Sequence, residues 1–140
     1  MIECQWTIVC EHAVVDRFTN NVSLLHVVEQ ITVGSSPETG ELMPIPFDIM
    51  TLWERGDLES PEVAQTRTVI VAPNGDEISS TEVPVDLTEH RRLRARLRVV
   101  GMPFSGFGRY RLRVDLQEDG DWVVVGGVSL EVRQKGPVPD

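Results

Sequence analysis

Two short segments of the chain alternate arginine with other side chains, and this alternation limits the possible folds more than any other feature. Between positions 92 and 98, and again between 109 and 113, every second residue is Arg and the residues between are Leu, Ala or Tyr. A helix would distribute such arginines around its circumference, whereas an extended strand places them all on one face. The alternation therefore predicts two β-strands, each with one basic and one apolar face.

A helix is the competing interpretation of the first segment. Thr88 would cap its start, and Leu93, Leu97 and Val100 would form its apolar stripe. The strand is preferred because the period of two extends through both segments.

Elsewhere the chain consists of short apolar segments between turn residues, as expected of strands. Segment 22–33 is apolar at nearly every position, which is typical of a strand buried on both faces or carrying a bulge. Gly126-Gly127 indicates a bulge in the last strand. Turns are predicted at Asn20-Asn21, Pro73-Asn74-Gly75-Asp76 and 118–121. About eight strands without a helix or a repeat predict an all-β fold, an antiparallel two-sheet β-sandwich with Greek-key, Ig/C2-like connections.

The length of 140 residues suits one domain, expected over residues 1–134, with a flexible tail at 135–140. No apolar run approaches the ~18 residues of a membrane-spanning helix, and Glu3 stands where a secretory signal carries positive charge. Cys4 and Cys10 would lie ~20 Å apart on one strand, on the same side as Trp6 and Ile8, too far apart for a disulfide. A cytoplasmic protein with reduced thiols is expected.

Charge is distributed unevenly along the chain. The net charge is −9, yet residues 91–140 hold 10 basic and 6 acidic side chains, whereas residues 1–90 hold 3 and 16. An acidic balance argues against nucleic acid and anionic membranes as partners. The arginine rows also lack an outward aromatic side chain on which a base could stack.

Several short motifs are patterned as in one known family. They are Cys10-Glu11, Asn20-Asn21, Ser23-Leu24-Leu25, Ala72-Pro73-Asn74-Gly75, and Gly108-Arg109-Tyr110 running to Val114. With them the chain resembles a family of small bacterial proteins catalogued only as a domain of unknown function. The resemblance implies a β-sandwich and transfers no catalytic residue.

Two alternative sites are open to the same sequence. Cys10, His12 and His26 could serve a thiol- or metal-dependent hydrolase, but the usual ligand spacings of zinc are absent. The loop 101–108, with Met102, Phe104 and Phe107, could bind a small ligand or fold back to close the end of the sandwich. Neither alternative is preferred, so no catalytic residue, metal or cofactor is predicted.

The preferred hypothesis concerns the arginines. Segments 92–98 and 109–113 are predicted to pair as a hairpin, so that their guanidinium groups share one sheet face. Carboxylates such as Glu77, Glu82 or Glu131 would neutralise them, or an acidic partner would bind there: a different protein, a second copy in a homo-oligomer, or an anionic ligand. The predicted function is a non-enzymatic protein–protein interface formed by Arg94, Arg96, Arg98, Arg111 and Arg113.

Overall fold

The computed structural model describes residues 1–34 and 36–136, and over these residues the protein is all-β, with eleven strands and no helix. The strands are β1 (Glu3–Val15), β2 (Val22–Val27), β3 (Gln30–Val33), β4 (Leu42–Met43), β5 (Phe47–Glu54), β6 (Glu62–Val71), β7 (Glu77–Leu87), β8 (Arg92–Val99), β9 (Met102–Pro103), β10 (Gly108–Glu118) and β11 (Asp121–Gln134). The all-β prediction is confirmed, with more strands than the eight expected.

The strands form two large sheets and one small one. The four-stranded sheet has the order β2-β1-β5-β8, the five-stranded sheet has the order β3-β11-β10-β6-β7, and β4 pairs with β9 alone. All neighbours are antiparallel except β3 and β11, which run parallel. The expectation of purely antiparallel sheets is therefore wrong at this one edge.

Segment 22–33 explains the parallel pair. It was predicted as one strand, but it divides into β2, which pairs with β1, and β3, which pairs with β11 in the other sheet. His26 has a positive φ of 53°, and Val28 and Glu29 lie between the two strands. The continuous apolar pattern therefore belongs to a chain that passes from one sheet to the other, not to a strand covered on both faces.

The core lies between the two large sheets. Phe47 and Ile49 of β5 belong to the same buried cluster as Leu112 of β10 and Leu130 of β11, and each is at most 1% exposed. A second cluster surrounds Trp53, whose indole Nε1 donates to Thr51 Oγ1 at 2.9 Å. The predicted apolar side of β5 is confirmed, because alternate residues of a strand face the same side.

The predicted turns are present. Asn20 has a positive φ of 59° between β1 and β2. Gly75 N donates to Ala72 O at 2.9 Å in the β6–β7 turn. A bulge lies directly before the predicted Gly126-Gly127 pair, because Val125 has no partner between Val124 and Gly126. A Cβ on Gly127 would lie 2.8 Å from Leu112 O, so this position needs glycine.

A bulge in β1 changes which face the cysteines occupy. The register with β5 shifts between Cys4 and Trp6. Cys4 therefore packs against the core cluster around Trp53, whereas Cys10 lies opposite Asp48 on the outer face and is 0% exposed. Both cysteines are free, but the prediction that they share one side of the strand is wrong.

At the carboxyl end, Lys135 N donates to Val33 O at 2.8 Å. Residues 137–140, which form most of the predicted tail, lie outside the described residues. No helix in the described part of the chain is long and apolar enough to cross a membrane.

Candidate protein-binding surface

Both arginine-rich segments are strands, but they do not form the predicted hairpin. β8 is an edge strand of the four-stranded sheet and pairs with β5, whereas β10 lies between β11 and β6 in the five-stranded sheet. The connecting residues explain this, since Met102 and Phe104 are buried in the core and draw the chain across from one sheet to the other. The common arginine face is therefore absent, and the five predicted residues are divided between two sheets.

We call the arginines of β8 the β8 row and those of β10 the β10 row. The β8 row consists of Arg92, Arg94, Arg96 and Arg98, and the β10 row of Arg109, Arg111 and Arg113. Each row lies on the outer face of its sheet, because the residues that alternate with it belong to or pack against the core.

Carboxylates bind Arg113, the last arginine of the β10 row. Arg113 donates from Nε and Nη2 to the two carboxylate oxygens of Asp115, at 2.8 and 2.9 Å, and from Nη2 to Glu77 at 2.9 Å. Arg67 of β6 donates to Asp115 Oδ2 at 2.7 Å, and its guanidinium carbon lies 4.5 Å from the centre of the Trp122 ring. Glu77 thus has the predicted role, whereas Glu131 binds Arg133.

Asp115 is the centre of this cluster and is only 1% exposed. Burial by itself would raise the pKa of Asp115, but the hydrogen bonds from Arg113 and Arg67 outweigh it and hold the pKa below its ordinary value. The carboxylate therefore remains charged at neutral pH and neutralises part of the surrounding positive charge. This part of the β10 row is a structural salt-bridge network.

The β8 row has less negative charge around it. Asp48 of β5 is its one carboxylate contact within ion-pair distance among the described residues, and it is 0% exposed. Arg96 Nε lies 3.0 Å from Asp48 Oδ2, without the geometry of a hydrogen bond, and Arg98 Nη1 donates to Asp48 Oδ1 at 3.2 Å. The Arg96 and Arg98 side chains are 53% and 45% exposed, so a partner can still reach both.

Arg94 binds neutral groups. The β1–β2 hairpin reaches back over the outer face of the four-stranded sheet, and Arg94 donates to Asn20 O at 2.8 Å and to Asn20 Oδ1 at 2.9 Å. The positive φ of Asn20 belongs to the hairpin turn that brings these acceptors to the sheet. Neither acceptor carries a full negative charge, so the charge of Arg94 is not neutralised.

A cleft of about 430 Å³ lies beside this contact. Three arginines of the β8 row, Arg92, Arg94 and Arg96, line it together with His90, and Met50 contributes an apolar surface. Among the described residues, no acidic side chain lines the cleft. In the described part of the chain, Arg92 has no carboxylate within ion-pair distance. The arrangement can bind carboxylates, since a guanidinium group with free N–H donors forms paired hydrogen bonds with them.

The alternative thiol or metal site is dispersed. Cys10 is buried, whereas His12 and His26 are exposed and His26 Nδ1 lies 2.9 Å from Glu11 Oε2. Burial, and then the neighbouring Asp48 carboxylate, raises the pKa of the Cys10 thiol against the opposing effect of Arg96. No group of three potential ligands occurs in residues 1–34 and 36–136. A buried thiol with a raised pKa is a poor nucleophile.

The loop 101–108 is folded into the end of the core. Met102 and Phe104 are 1% and 5% exposed, and Phe104 contacts Phe107 edge to face with ring centroids 5.1 Å apart. The Tyr110 hydroxyl accepts from Ser105 N and donates to Gly106 O, both at 2.7 Å. The loop therefore folds back and closes the space between the sheets, which is the alternative to ligand binding that the sequence left open.

Two important residues were not identified from the sequence. Asp48 was predicted only as part of a strand, although it is the one acidic residue among apolar neighbours between Pro46 and Leu52. Asn20 was predicted as a turn residue, and nothing local indicates that the turn would reach Arg94, 74 positions away.

Comparison with known proteins adds one structural likeness. No protein-family model matches the chain, and no curated protein matches it. Among solved structures, it is similar to a glycosyl hydrolase family 2 member from Bacteroides cellulosilyticus, with a TM-score of 0.47 and 14% sequence identity over 67% of this chain. The matched region is 14% of the length of that protein, and a likeness of this kind carries no inference about activity.

Proposed function

We propose that the protein is a non-enzymatic binding module with an Ig-like, two-sheet β-sandwich fold, which binds an acidic segment of another protein through the β8 row. One observation carries the proposal. Four guanidinium groups lie along one strand face, and Asp48 is the one carboxylate among the described residues that binds them. An acidic partner would supply the missing negative charge.

The exposure of the arginines supports binding by hydrogen bonds as well as by charge. Arg96 and Arg98 are about half exposed, with 53% and 45% of their side-chain surface accessible. Exposed guanidinium groups steer an acidic partner and fix its orientation. They remain hydrated in the free protein, so exposing them costs it little stability. We further propose a cytoplasmic location, which suits the two free cysteines.

A second copy of the chain is a weaker candidate for the partner. Residues 1–90 are acidic and residues 91–140 are basic, but the folded protein has no separate acidic and basic halves. The two portions alternate within the sheets, because β8 pairs with β5 and β10 pairs with β6. The proposal therefore names a different acidic protein, and self-association is one outcome of the test.

The test uses a fluorescent decapeptide of glutamate as the acidic probe. The double variant Arg92→Gln/Arg94→Gln removes two charges from the β8 row and leaves Asp48 paired with Arg96 and Arg98. We expect its affinity, measured by fluorescence anisotropy at low salt, to fall about tenfold, a loss of about 1.4 kcal/mol. Its matched control, Arg109→Gln/Arg111→Gln, removes two exposed arginines from the other sheet and should bind like the wild type.

Equal losses in the two double variants would show that only net charge matters, and the proposal would be wrong. Binding by the wild type should also disappear in about 1 M salt, where the screening length is about 3 Å. Sedimentation velocity of the unliganded protein tests self-association. A dimer that dissociates in Arg92→Gln/Arg94→Gln alone would make a second copy the partner and overturn the choice of a different protein.

A further inference from the structure

The backbone of β8 has one open edge. β8 is the last strand of its sheet, and its register with β5 is regular from Phe47↔Val99 to Glu54↔Arg92. Arg55 N donates to Arg91 O at 3.0 Å, which is a hydrogen-bonded pair continuing the same register. Hydrogen-bonded and non-hydrogen-bonded pairs alternate along an antiparallel ladder. The alternate residues Leu93, Ala95, Leu97 and Val99 therefore bond to β5.

It follows that the backbone N–H and C=O groups of the β8 row point away from β5, toward the open edge. Within residues 1–34 and 36–136, no backbone group outside β5 bonds to them. The same four residues thus present outward-facing hydrogen-bonding groups and guanidinium side chains. An edge of this kind is a template for a further strand.

Beside that edge the two sheets do not close on each other. A cleft of about 340 Å³ opens between β8 and the β7 side of the five-stranded sheet. Leu97, Val99 and Ile70 line it with apolar surface, and Ser79 and Thr81 of β7 line it with hydroxyl groups. Val100, also in its lining, is 74% exposed. The cleft can receive apolar side chains from a strand placed next to β8.

We propose that β8 accepts an extended segment of the acidic partner as an additional strand, one in which acidic and apolar residues alternate. The proposal rests on the proposed function and specifies the form of its partner. Residues of the added strand opposite the β8 row lie on the outer face, where carboxylates meet guanidinium groups. The residues between them point to the other side, into the cleft beside Leu97 and Val99.

The arginines also determine which strands are rejected. If β8 paired with β8 of a second copy, arginines would face arginines across the ladder, and like charges opposite one another are destabilising. Charged edge strands commonly prevent such pairing between identical chains. The β8 row therefore excludes its own copy at this edge and selects a strand with acidic residues in every second position.

Two blocked fluorescent octapeptides of equal composition test the alternation. One alternates Glu and Val, and the other has four Glu followed by four Val. We expect the alternating peptide to bind about tenfold more tightly by fluorescence anisotropy. It should also slow hydrogen exchange at the amides of Arg94, Arg96 and Arg98, while Leu93 and Leu97, already bonded to β5, keep their rates.

A backbone substitution separates strand addition from charge. Arg96→Pro removes the outward N–H of position 96 without removing a hydrogen bond to β5, and proline is tolerated at such edge positions. Arg96→Gln removes the same charge and keeps the N–H. We expect Arg96→Pro to bind the alternating peptide about tenfold more weakly than Arg96→Gln, with both variants folded by circular dichroism.

Equal binding of the two peptides, or equal binding by the two variants, would overturn strand addition and leave the proposed function in place. If neither octapeptide nor the glutamate decapeptide binds, both proposals fail. If Arg96→Pro does not fold, the hydrogen-exchange measurement on the wild type tests strand addition instead. Exchange rates at the amides of Arg94, Arg96 and Arg98 that the alternating peptide leaves unchanged would overturn the inference.

Discussion

The β8 and β10 rows have the same alternation in sequence and very different surroundings in the structure. β10 is flanked by β6 and β11, and Arg113 and Arg67 both bind Asp115, which is 1% exposed. β8 is an edge strand with one neighbour, β5, whose Asp48 forms the ion pairs of the row and whose Glu54 lies opposite Arg92 in the register. β10 carries the carboxylate of Asp115 itself and receives that of Glu77 from β7, whereas β8 has no acidic residue of its own. Nearby carboxylates, more than the alternation itself, separate the structural Arg113 from arginines that remain available to a partner.

The sharpest way to test this comparison is to remove the buried carboxylate of the β10 row. Asp115→Ala leaves Arg67 and Arg113, which are only 24% and 20% exposed, without their shared acceptor. Loss of one member of a buried ion cluster costs about 3–5 kcal/mol, so we expect a reduction of this size in the free energy of unfolding, measured in urea. A loss below about 1 kcal/mol would contradict the structural role.

The equivalent change near the β8 row should cost less. Asp48→Ala removes a carboxylate whose two partners are about half exposed, at 53% and 45%, and can turn into water. We expect a loss of about 1–2 kcal/mol in the same urea experiment. A loss equal to that of Asp115→Ala would mean that the two rows are equally structural, and the comparison would fail.

Acid should also weaken the salt-bridge network of the β10 row. The pKa of Asp115 is lowered in the folded protein, since its hydrogen bonds from Arg113 and Arg67 outweigh burial. The unfolded state therefore takes up the proton more readily, and stability present at neutral pH is lost as the pH falls through the folded-state pKa. Urea unfolding at a series of acidic pH values should show a shallower loss in Asp115→Ala than in the wild type. Parallel curves would contradict this assignment.

The smallest expected effect concerns the exposed end of the β10 network. Glu77 binds Arg113 at 2.9 Å, but 51% of its side chain is exposed. Glu77→Ala should lower the free energy of unfolding by about 0.5 kcal/mol or less at low salt, and by still less in 1 M salt, because solvent screens the pair. A loss as large as that of Asp115→Ala would show that exposure does not set the strength of these contacts.

Local patterns were sufficient to predict most strands and turns. The alternation in β8 and β10, the apolar side of β5 and the Pro73–Asp76 turn are all present, and the bulge predicted at Gly126-Gly127 lies one residue earlier, at Val125. Each depends on a residue and its near neighbours, through side-chain alternation or backbone conformation. Cys10 shares a side with Trp6 and Ile8 as predicted, but Cys4 does not, because the bulge after Cys4 shifts the alternation by one position and has no glycine to indicate it.

The candidate site was predicted only in part. The arginines of β8 were identified, but their assignment to one face together with Arg111 and Arg113 depended on a hairpin that does not form. The loop between the two strands could turn back or cross over, and burial of Met102 and Phe104 favours crossing. That choice depends on the space left by distant strands, so no local pattern contains it.

By itself, the sequence determined that this chain is built from strands and that its arginines leave the core, because side chains alternate across a strand whatever lies beside it. Only the tertiary structure decided which strands became neighbours, and hence that Arg67 of β6 and Glu77 of β7 join Arg113 and Asp115 in one network while the β8 row keeps an excess of positive charge. The physical reason is that ion pairing and exposure depend on distances between residues far apart in the chain. Those distances are set when the two sheets close on a common core.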